Sequence, residues 1–256
     1  MDFADLSAPT LASLSRDIPV VIPIAAIEQH GQHLPVFTDS LLLGEVVRRV
    51  RDRLAPEVLF VPLLWLGNSD HHLDFEGTLS APPRTYLDLL SGLAENLIQQ
   101  GFRRLIFVNG HGGNDVPGRQ ALFEVRQRHR DRKDLLLLLA TYWTSGPGPS
   151  GLSSSAGPTL HQTEMGHACE WETSMILRLA PHLVGDYQGL EPVLPGNPFL
   201  PASRAWITRD RTGPGHIGWP HLASVEKGEL LFKAFADDVV ALLQRVTRWD
   251  GQSWEG

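Results

Sequence analysis

The sequence contains a single cysteine, Cys169, and no hydrophobic run long enough to cross a membrane. One cysteine excludes an internal disulfide, so the chain carries no sign of an oxidising compartment. The apolar run Leu135–Ala140 is far shorter than the roughly 20 residues that a transmembrane helix needs. Residues 1–19 place acids where a signal peptide has a basic segment and an apolar core. We therefore expect a cytoplasmic protein without a membrane partner.

Basic residues are also in short supply, with 22 Lys and Arg against 29 Asp and Glu, for a formal charge of −7. Nucleic-acid binding needs a basic surface to neutralise phosphates, so we expect no nucleic-acid partner. The Arg-rich stretch Arg119–Lys133 contains the acids Glu124 and Asp131, which indicates a solvated helix face. The 256 residues are 42% hydrophobic, a globular composition that excludes wholesale disorder.

Apolar runs typical of buried strands alternate with amphipathic segments typical of helices. We predict strands at Ile18–Ile24, Val58–Leu64, Arg104–Val108 and Leu135–Thr141, and helices at Asp39–Leu54, Tyr86–Gln100, Asn114–Arg130, Glu170–Leu179 and Val225–Val246. This alternation predicts an α/β protein with a parallel sheet covered by helices on both faces. The Gly/Ser/Pro-rich stretch Ser145–Gly157 is either a functional lid or an ordinary surface loop.

A first set of metal-ligand residues follows the first predicted strand. Glu28 and His30 are two residues apart, so in an extended chain they point to the same side. Asp39 begins the next predicted helix after a short loop. Two carboxylates and an imidazole suit a divalent ion such as zinc, manganese or iron. The alternative is a structural turn in which Asp39 caps the helix.

A second set lies in the loop Asn109–Asn114 (NGHGGN), after the third predicted strand. Parallel strands bind ligands at their carboxyl ends, so we expect His111 on the same sheet edge as the first set. The N–H groups of Gly112 and Gly113, before a helix, could hold an oxyanion. His111 is either a metal ligand or a hydrogen-bonded turn residue. The loop lacks the glycine pattern and the lysine of a phosphate-binding loop.

A third set surrounds the start of a predicted helix. His167 lies on a turn of small residues, which favours a functional role. Glu170 and Glu172 follow it, but the helix dipole favours acids at that end, so at least one of them could serve only the helix. We interpret Cys169 as a small buried residue, since nothing nearby marks it as a thiolate.

Ser69 follows the end of the second predicted strand, in the sequence Gly67-Asn68-Ser69. It does not lie in the G-x-S-x-G pattern of a nucleophile elbow, so a serine hydrolase is not indicated. We predict that Ser69 donates a hydrogen bond to the substrate. The neighbouring His71 and His72 are interpreted as residues of the site's rim.

Four segments resemble the signature segments of the creatininase (creatinine amidohydrolase) family: Glu28–Asp39, Asn109–Asn114, His167–Ser174 and Ala223–Glu229. Gly67–Ser69 with Gly77 and Thr78 resembles a fifth. These segments occur in the family's order over nearly the whole chain. The resemblance implies a single domain over residues 1–256, a three-layer α/β/α sandwich with a mostly parallel sheet. It also implies a two-metal hydrolytic site in a cytoplasmic homo-oligomer, with a hexamer favoured.

The resemblance further implies what the shared residues do. In the family, the residues matching Glu28, His30, Asp39 and His111 bind two divalent ions, which here would be zinc, manganese or iron. The counterpart of Asp39 bridges them, and we expect Glu28 and His111 at the first ion and His30 at the second. The counterpart of His167 contacts the reacting group. We expect His167 to deliver a proton to the departing nitrogen.

Two departures from the creatinine-hydrolysing branch bear on the substrate. That branch has a metal-binding Glu where this chain has Gly113, and we infer that Glu170 supplies the missing carboxylate to the second ion. It also has a Trp that stacks on the substrate ring, near the positions of Thr163 and Glu164 here. We expect a metal-dependent amidohydrolase acting on a non-peptide C–N bond of a small molecule, a cyclic amide or a formamide. The alternatives are a branch that clips a modified peptide, or a non-catalytic metal-binding protein.

Overall fold

One sheet of four parallel strands forms the centre of the molecule. The computed structural model describes residues 1–151 and 158–254, so the predicted loop Ser145–Gly157 lies partly outside the described residues. The strands are β1 (Pro19–Ile24), β2 (Leu59–Phe60), β3 (Arg104–Asn109) and β4 (Leu136–Thr141). Their order is β2-β1-β3-β4, and all neighbours are parallel. Ile24 pairs with Asn109, so β1 and β3 end side by side.

Helices connect the strands and cover both faces of the sheet. They are α1 (Ala8–Ser13), α2 (Thr38–Leu54), α3 (Pro83–Gln99), α4 (Asp115–Arg128), α5 (Glu170–Leu179), α6 (Thr208–Arg211) and α7 (Val225–Arg248). The five predicted helices correspond to α2, α3, α4, α5 and α7. The helices α1 and α6 were not predicted, because one or two turns are too short for a hydrophobic period. Within the described ranges, no helix combines the length and apolar character that a membrane crossing requires.

The predicted strand Val58–Leu64 forms a ladder at only two residues. Pro62 interrupts it, because proline has no N–H to donate to a neighbouring strand. Beyond the proline the chain still follows β1, and Leu64 N donates to Pro23 O at 2.9 Å.

The core consists of two layers of side chains, one on each face of the sheet. Along β1, Val21 packs in a cluster with α2, α5 and α7, whereas Val20 and Ile22 pack in a cluster with α3 and α4. This alternation is what a strand buried on both faces produces. The predicted α/β/α arrangement with a parallel sheet is therefore confirmed. That residues 1–256 form a single domain stays a prediction.

Candidate metal centre and active site

Four of the predicted ligand residues meet at the carboxyl edge of the sheet. Glu28 and His30 follow β1, His111 follows β3, and Asp39 is the second residue of α2. Each has at most 5% of its surface exposed. The adjacency of β1 and β3 brings the two loops together, as the parallel order requires.

Asp39 lies between the two histidines. Its Oδ1 is 3.2 Å from His30 Nε2 and its Oδ2 is 3.0 Å from His111 Nδ1. Glu28 Oε2 lies 3.4 Å from His111 Nε2. Among the described residues, Glu28 Oε2, His30 Nε2 and Asp39 Oδ2 are buried without a hydrogen-bond partner. Leaving buried polar atoms unpaired is energetically costly, so these two carboxylate oxygens and one imidazole nitrogen fit the coordination of bound cations. Glu28, His30 and Asp39 offer ligand atoms within 4.8 Å of one another.

Hydrogen bonds outside this cluster fix which nitrogen of each histidine faces it. His30 Nδ1 lies 3.2 Å from the carbonyl oxygen of Glu28, which can only accept, so Nδ1 carries the proton. His111 Nε2 lies 3.0 Å from the carbonyl oxygen of Asn68 and carries the proton for the same reason. In the neutral rings, His30 Nε2 and His111 Nδ1 therefore present lone pairs to Asp39. Partners of this kind orient the histidine ligands of metal sites.

The pKa values in the cluster are shifted by burial and by mutual attraction. Burial raises the pKa of Glu28 to about 7. Burial alone would lower the pKa of His111, but the carboxylates of Glu28 and Asp39 raise it to about 9. For the carboxyl group of Asp39, burial alone would raise the pKa, but His30 and His111 hold that pKa below its usual range. Protons therefore occupy positions for which a metal ion would compete.

Glu170 does not face this cluster. Its carboxylate is completely buried and accepts hydrogen bonds from the backbone N–H groups of His161, at 3.0 and 3.1 Å, and Gln162, at 2.7 Å. Lys227 Nζ lies 2.6 Å away and neutralises it. This placement goes against the expectation that Glu170 is a metal ligand, because its oxygens already bind another part of the chain.

Glu172 is the carboxylate of α5 that reaches the cluster. Its Oε1 lies 3.6 Å from His30 Nε2, and it lines the cavity above. Two residues along a helix are rotated by about 200°, so Glu170 and Glu172 cannot face the same side. Ligand atoms of His30, His167 and Glu172 lie within 4.8 Å of one another.

Gly113 has no room for a side chain. A Cβ atom there would collide with the carbonyl oxygen of Asn68 and with Nε2 of His111. The absence of a carboxylate at this position is therefore built into the loop. Gly112 and Gly113 both line the cavity, as expected for backbone groups that contact a substrate.

Ser69 lies beneath the cluster rather than in the cavity. It is completely buried, and its Oγ is 3.1 Å from His111 Nε2. It is not among the residues that line the cavity. The structure thus places Ser69 beside His111 and away from the cavity in which the sequence analysis expected it to contact a substrate.

His167 faces the cluster with one ring nitrogen. Its Nε2 lies 2.8 Å from the carbonyl oxygen of Gln29 and therefore carries the proton. Its Nδ1 lies 3.6 Å from Glu28 Oε1. Burial and the neighbouring His30 lower the pKa of His167, so the ring is neutral and Nδ1 can accept a proton. Ala168 has a left-handed φ of 46°, a costly conformation that sets the turn holding this ring.

His72, which the sequence analysis placed on the rim, lies beside Glu28. It is buried, and its Nδ1 lies 2.8 Å from Gln29 Nε2 and 2.9 Å from Thr208 Oγ1. Both neighbours can donate, so Nε2 carries the ring proton and faces Glu28 Oε1 at 3.3 Å. Burial lowers the pKa of His72, which keeps it neutral. His72 therefore positions Glu28. No local pattern reveals this, because Thr208 is far away in sequence.

A cavity of about 920 Å³ lies above the cluster. Glu28, Asp39, His111 and Glu172 contribute to its lining, as do residues 161–167 and three indoles, Trp143, Trp206 and Trp219. The volume is at the upper end of the range typical of ligand sites.

Sequence relatives match this chain along nearly its whole length. Residues 4–243 match the family model described as Creatininase: Creatinine amidohydrolase. The chain is 32% identical to the mycofactocin precursor peptide peptidase of Mycobacterium tuberculosis over 257 residues, 96% of this chain and 91% of that protein. It is 30% identical to the creatinine amidohydrolase of Pseudomonas putida over 229 residues, 85% of each.

Solved structures are similar over the same extent. A creatininase variant complexed with creatine superposes with a TM-score of 0.81 at 25% identity, covering 97% of this chain and 99% of that one. Two further creatininases, one of the Zn-Zn type and one with Mn, superpose with a TM-score of 0.80 at 25% identity. They cover 97% of this chain, and the match spans 98% and 99% of theirs.

Proposed function

The chain belongs to the creatininase family, and we propose that it hydrolyses a carbon–nitrogen amide bond in this cavity, with two divalent ions bound at the carboxyl edge of the sheet. The observation that carries the proposal is the buried cluster at the ends of β1 and β3. Asp39 lies between His30 and His111, and three ligand atoms there have no other partner among the described residues. The donor set suits zinc, manganese or iron.

The ligands divide into two groups around Asp39. Glu28 and His111 would hold the first ion with one oxygen of Asp39, and His30 and Glu172 would hold the second with the other. The distances to Asp39 and the 3.6 Å between Glu172 and His30 support this division. Glu172 thus takes the role that the sequence analysis gave to Glu170.

Divalent ions in such a site lower the pKa of water and polarise an amide carbonyl. The chain's own residues prepare the rest. His72 holds Glu28 in place through Nε2. The N–H groups of Gly112 and Gly113 border the cavity where an oxyanion would develop.

His167 supplies the proton transfer that amide hydrolysis needs, because an amide anion is too poor a leaving group. Its Nε2 proton is engaged by the carbonyl oxygen of Gln29, so Nδ1 is the nitrogen that exchanges protons. Because the ring is neutral, Nδ1 first accepts a proton from the attacking water and then delivers it to the departing nitrogen.

The substrate class is an amide of a small molecule, a cyclic amide or a formamide. A second candidate is an amide in a modified peptide. The size of the cavity favours this second class, because about 920 Å³ exceeds what a single small ring fills. One relative is named a creatinine amidohydrolase and another a peptide peptidase, so their names do not decide between a small-molecule and a peptide substrate.

Metal analysis and a substrate panel test the proposal together. We expect protein purified without chelator to hold close to two transition-metal ions per chain, and Asp39→Ala to lose more metal than any other single substitution. The metal-loaded protein should hydrolyse at least one member of a panel of cyclic amides, formamides and short peptides. Full metal content in Asp39→Ala would refute the bridging role. Bound metal without any open coordination position would favour a non-catalytic protein.

The oligomer and the cellular location follow from the family resemblance. We propose a cytoplasmic homo-oligomer, with a hexamer as the favoured form, and no nucleic-acid or membrane partner. Light scattering coupled to size-exclusion chromatography measures the mass directly. A mass equal to the 28.3 kDa chain would contradict the oligomer.

A further inference from the structure

A line of rings leads from the metal-ligand cluster to a guanidinium in the cavity wall. His71 stacks on His111 with ring centroids 5.8 Å apart and an interplanar angle of 12°. Trp206 meets His71 edge to face at 5.1 Å. The guanidinium carbon of Arg211 lies 4.5 Å from the centre of the Trp206 ring. His71, His111, Trp206 and Arg211 all line the same cavity.

Among the residues that the structure describes, no carboxylate forms an ion pair with the guanidinium of Arg211. In residues 1–151 and 158–254, the ion pairs and side-chain hydrogen bonds include none made by Arg211, although it is half-buried. The neighbouring Arg209 differs, because it donates to the carbonyl oxygens of Gly213 at 3.0 Å and Asp74 at 3.3 Å. The donors of Arg211 are thus available to a ligand in the cavity.

The segment that carries these side chains is fixed relative to the metal-ligand cluster. Thr208, in the same single-turn helix as Arg211, is completely buried. Its Oγ1 lies 2.9 Å from His72 Nδ1, and His72 in turn contacts Glu28. Trp206 and Arg211 are therefore held at a set distance from the proposed reaction centre, as a substrate-recognition site requires.

We propose that Trp206 and Arg211 form an outer subsite for a carboxylate carried by the substrate, remote from the bond that is cleaved. A guanidinium binds a carboxylate with two parallel hydrogen bonds, and the adjacent indole, 40% exposed, offers an apolar surface to the chain that leads to it. The inference rests on the proposed amide hydrolysis. Such a subsite would favour acylated peptides with a free C-terminal carboxylate over a neutral cyclic amide as substrates.

The test is a binding measurement, and its repeat on chelated protein gives a value that turnover does not affect. N-acetyl-dialanine and its C-terminal carboxamide are titrated calorimetrically into the metal-loaded protein. We expect the free acid to bind about tenfold more tightly, the effect of a charge-assisted hydrogen bond in a half-exposed site. Arg211→Met should remove this preference, and Arg211→Lys should retain part of it. Trp206→Ala should weaken the binding of both ligands equally, because both make the apolar contact with the indole.

Two controls separate the sources of such a preference. Arg209→Met removes the same charge two residues away, outside the cavity lining, and should leave the preference intact. Repeating the titration on chelated protein removes any attraction of the carboxylate to the metal ions. A preference that disappears on chelation but survives Arg211→Met would overturn the inference, as would equal or undetectable binding of both ligands. Hydrolysis of neutral amides by the same preparation would still uphold the proposed function.

Discussion

The two carboxylates at the start of α5 should respond in opposite ways to loss of charge. In Glu172→Gln, the second ion loses a ligand, and we expect that ion to be depleted after dialysis. In Glu170→Gln, both ions should stay, because the Glu170 carboxylate binds Lys227 and the backbone of residues 161 and 162 instead. Each substitution replaces one carboxylate oxygen with an amide nitrogen, and the two positions lie two residues apart in the same helix. Each variant therefore serves as a control for the other.

The size of the Glu170 effect follows from its burial. Glu170 is completely buried, and the side chain of Lys227 is 14% exposed. Removing one partner of a buried ion pair typically costs about 3–5 kcal/mol, because the other charge stays buried and unpaired. For a chain of this length, 1 kcal/mol corresponds to about 2–4 °C in melting temperature. We therefore expect Glu170→Gln to melt roughly 10 °C lower than the parent with both metals retained.

A double-mutant cycle distinguishes the ion pair from a general packing defect. In Glu170→Gln with Lys227→Met, the unpaired ammonium is gone, so the loss should be smaller than the sum of the single losses. The assays are elemental analysis by mass spectrometry and a thermal melt on the same samples. Depletion of one ion in Glu170→Gln, with normal metal content in Glu172→Gln, would refute the reasoning and return the ligand role to Glu170.

Three further outcomes follow from the site. His167→Ala should retain both ions and lose about 10²–10⁴ in kcat, the usual range for a proton-transfer residue; a loss below tenfold with metal intact would remove it from the mechanism. Metal affinity should rise with pH up to about 9, because the raised pKa values of Glu28, about 7, and His111, about 9, mean that both hold protons that the ion must displace at lower pH. Calorimetry in buffers of different ionisation enthalpy measures those protons, and pH-independent binding would contradict the assignment. Burial raises the pKa of Cys169 to about 12, so a thiol reagent should not react with the native protein at neutral pH and should react fully after unfolding.

The sequence predicted the part of the site that depends on topology. Glu28, His30 and His111 follow buried strands, and neighbouring parallel strands end at one edge, so their convergence needs no knowledge of side-chain packing. The same holds for the two-layered core, since strands buried on both faces read as continuous apolar runs. Pro62 shortened the predicted strand Val58–Leu64, and its effect could have been anticipated.

Where the structure departs from the expected placement of a side chain, the cause is contact with distant segments. Glu170 and Glu172 are equivalent in sequence terms. Contacts with Lys227, 57 residues later, and with the backbone of residues 161 and 162 hold the Glu170 carboxylate away from the cluster. His72 is buried because Thr208 and Gln29 enclose it. Neither the spacing nor the composition of a segment contains such information.

Gly113 links the proposed metal site to the proposed substrate site. Because a Cβ atom there would strike His111 Nε2, the loop cannot provide a carboxylate, and Glu172 is the carboxylate that reaches His30. The same Cβ atom would also crowd Cε1 of His71 at 2.9 Å. The absence of a side chain at Gly113 thus leaves space for the ring of His71, which Trp206 contacts edge to face. If both proposals hold, a side chain at Gly113 would disturb His111 at the proposed metal site and His71 beside the proposed substrate site together.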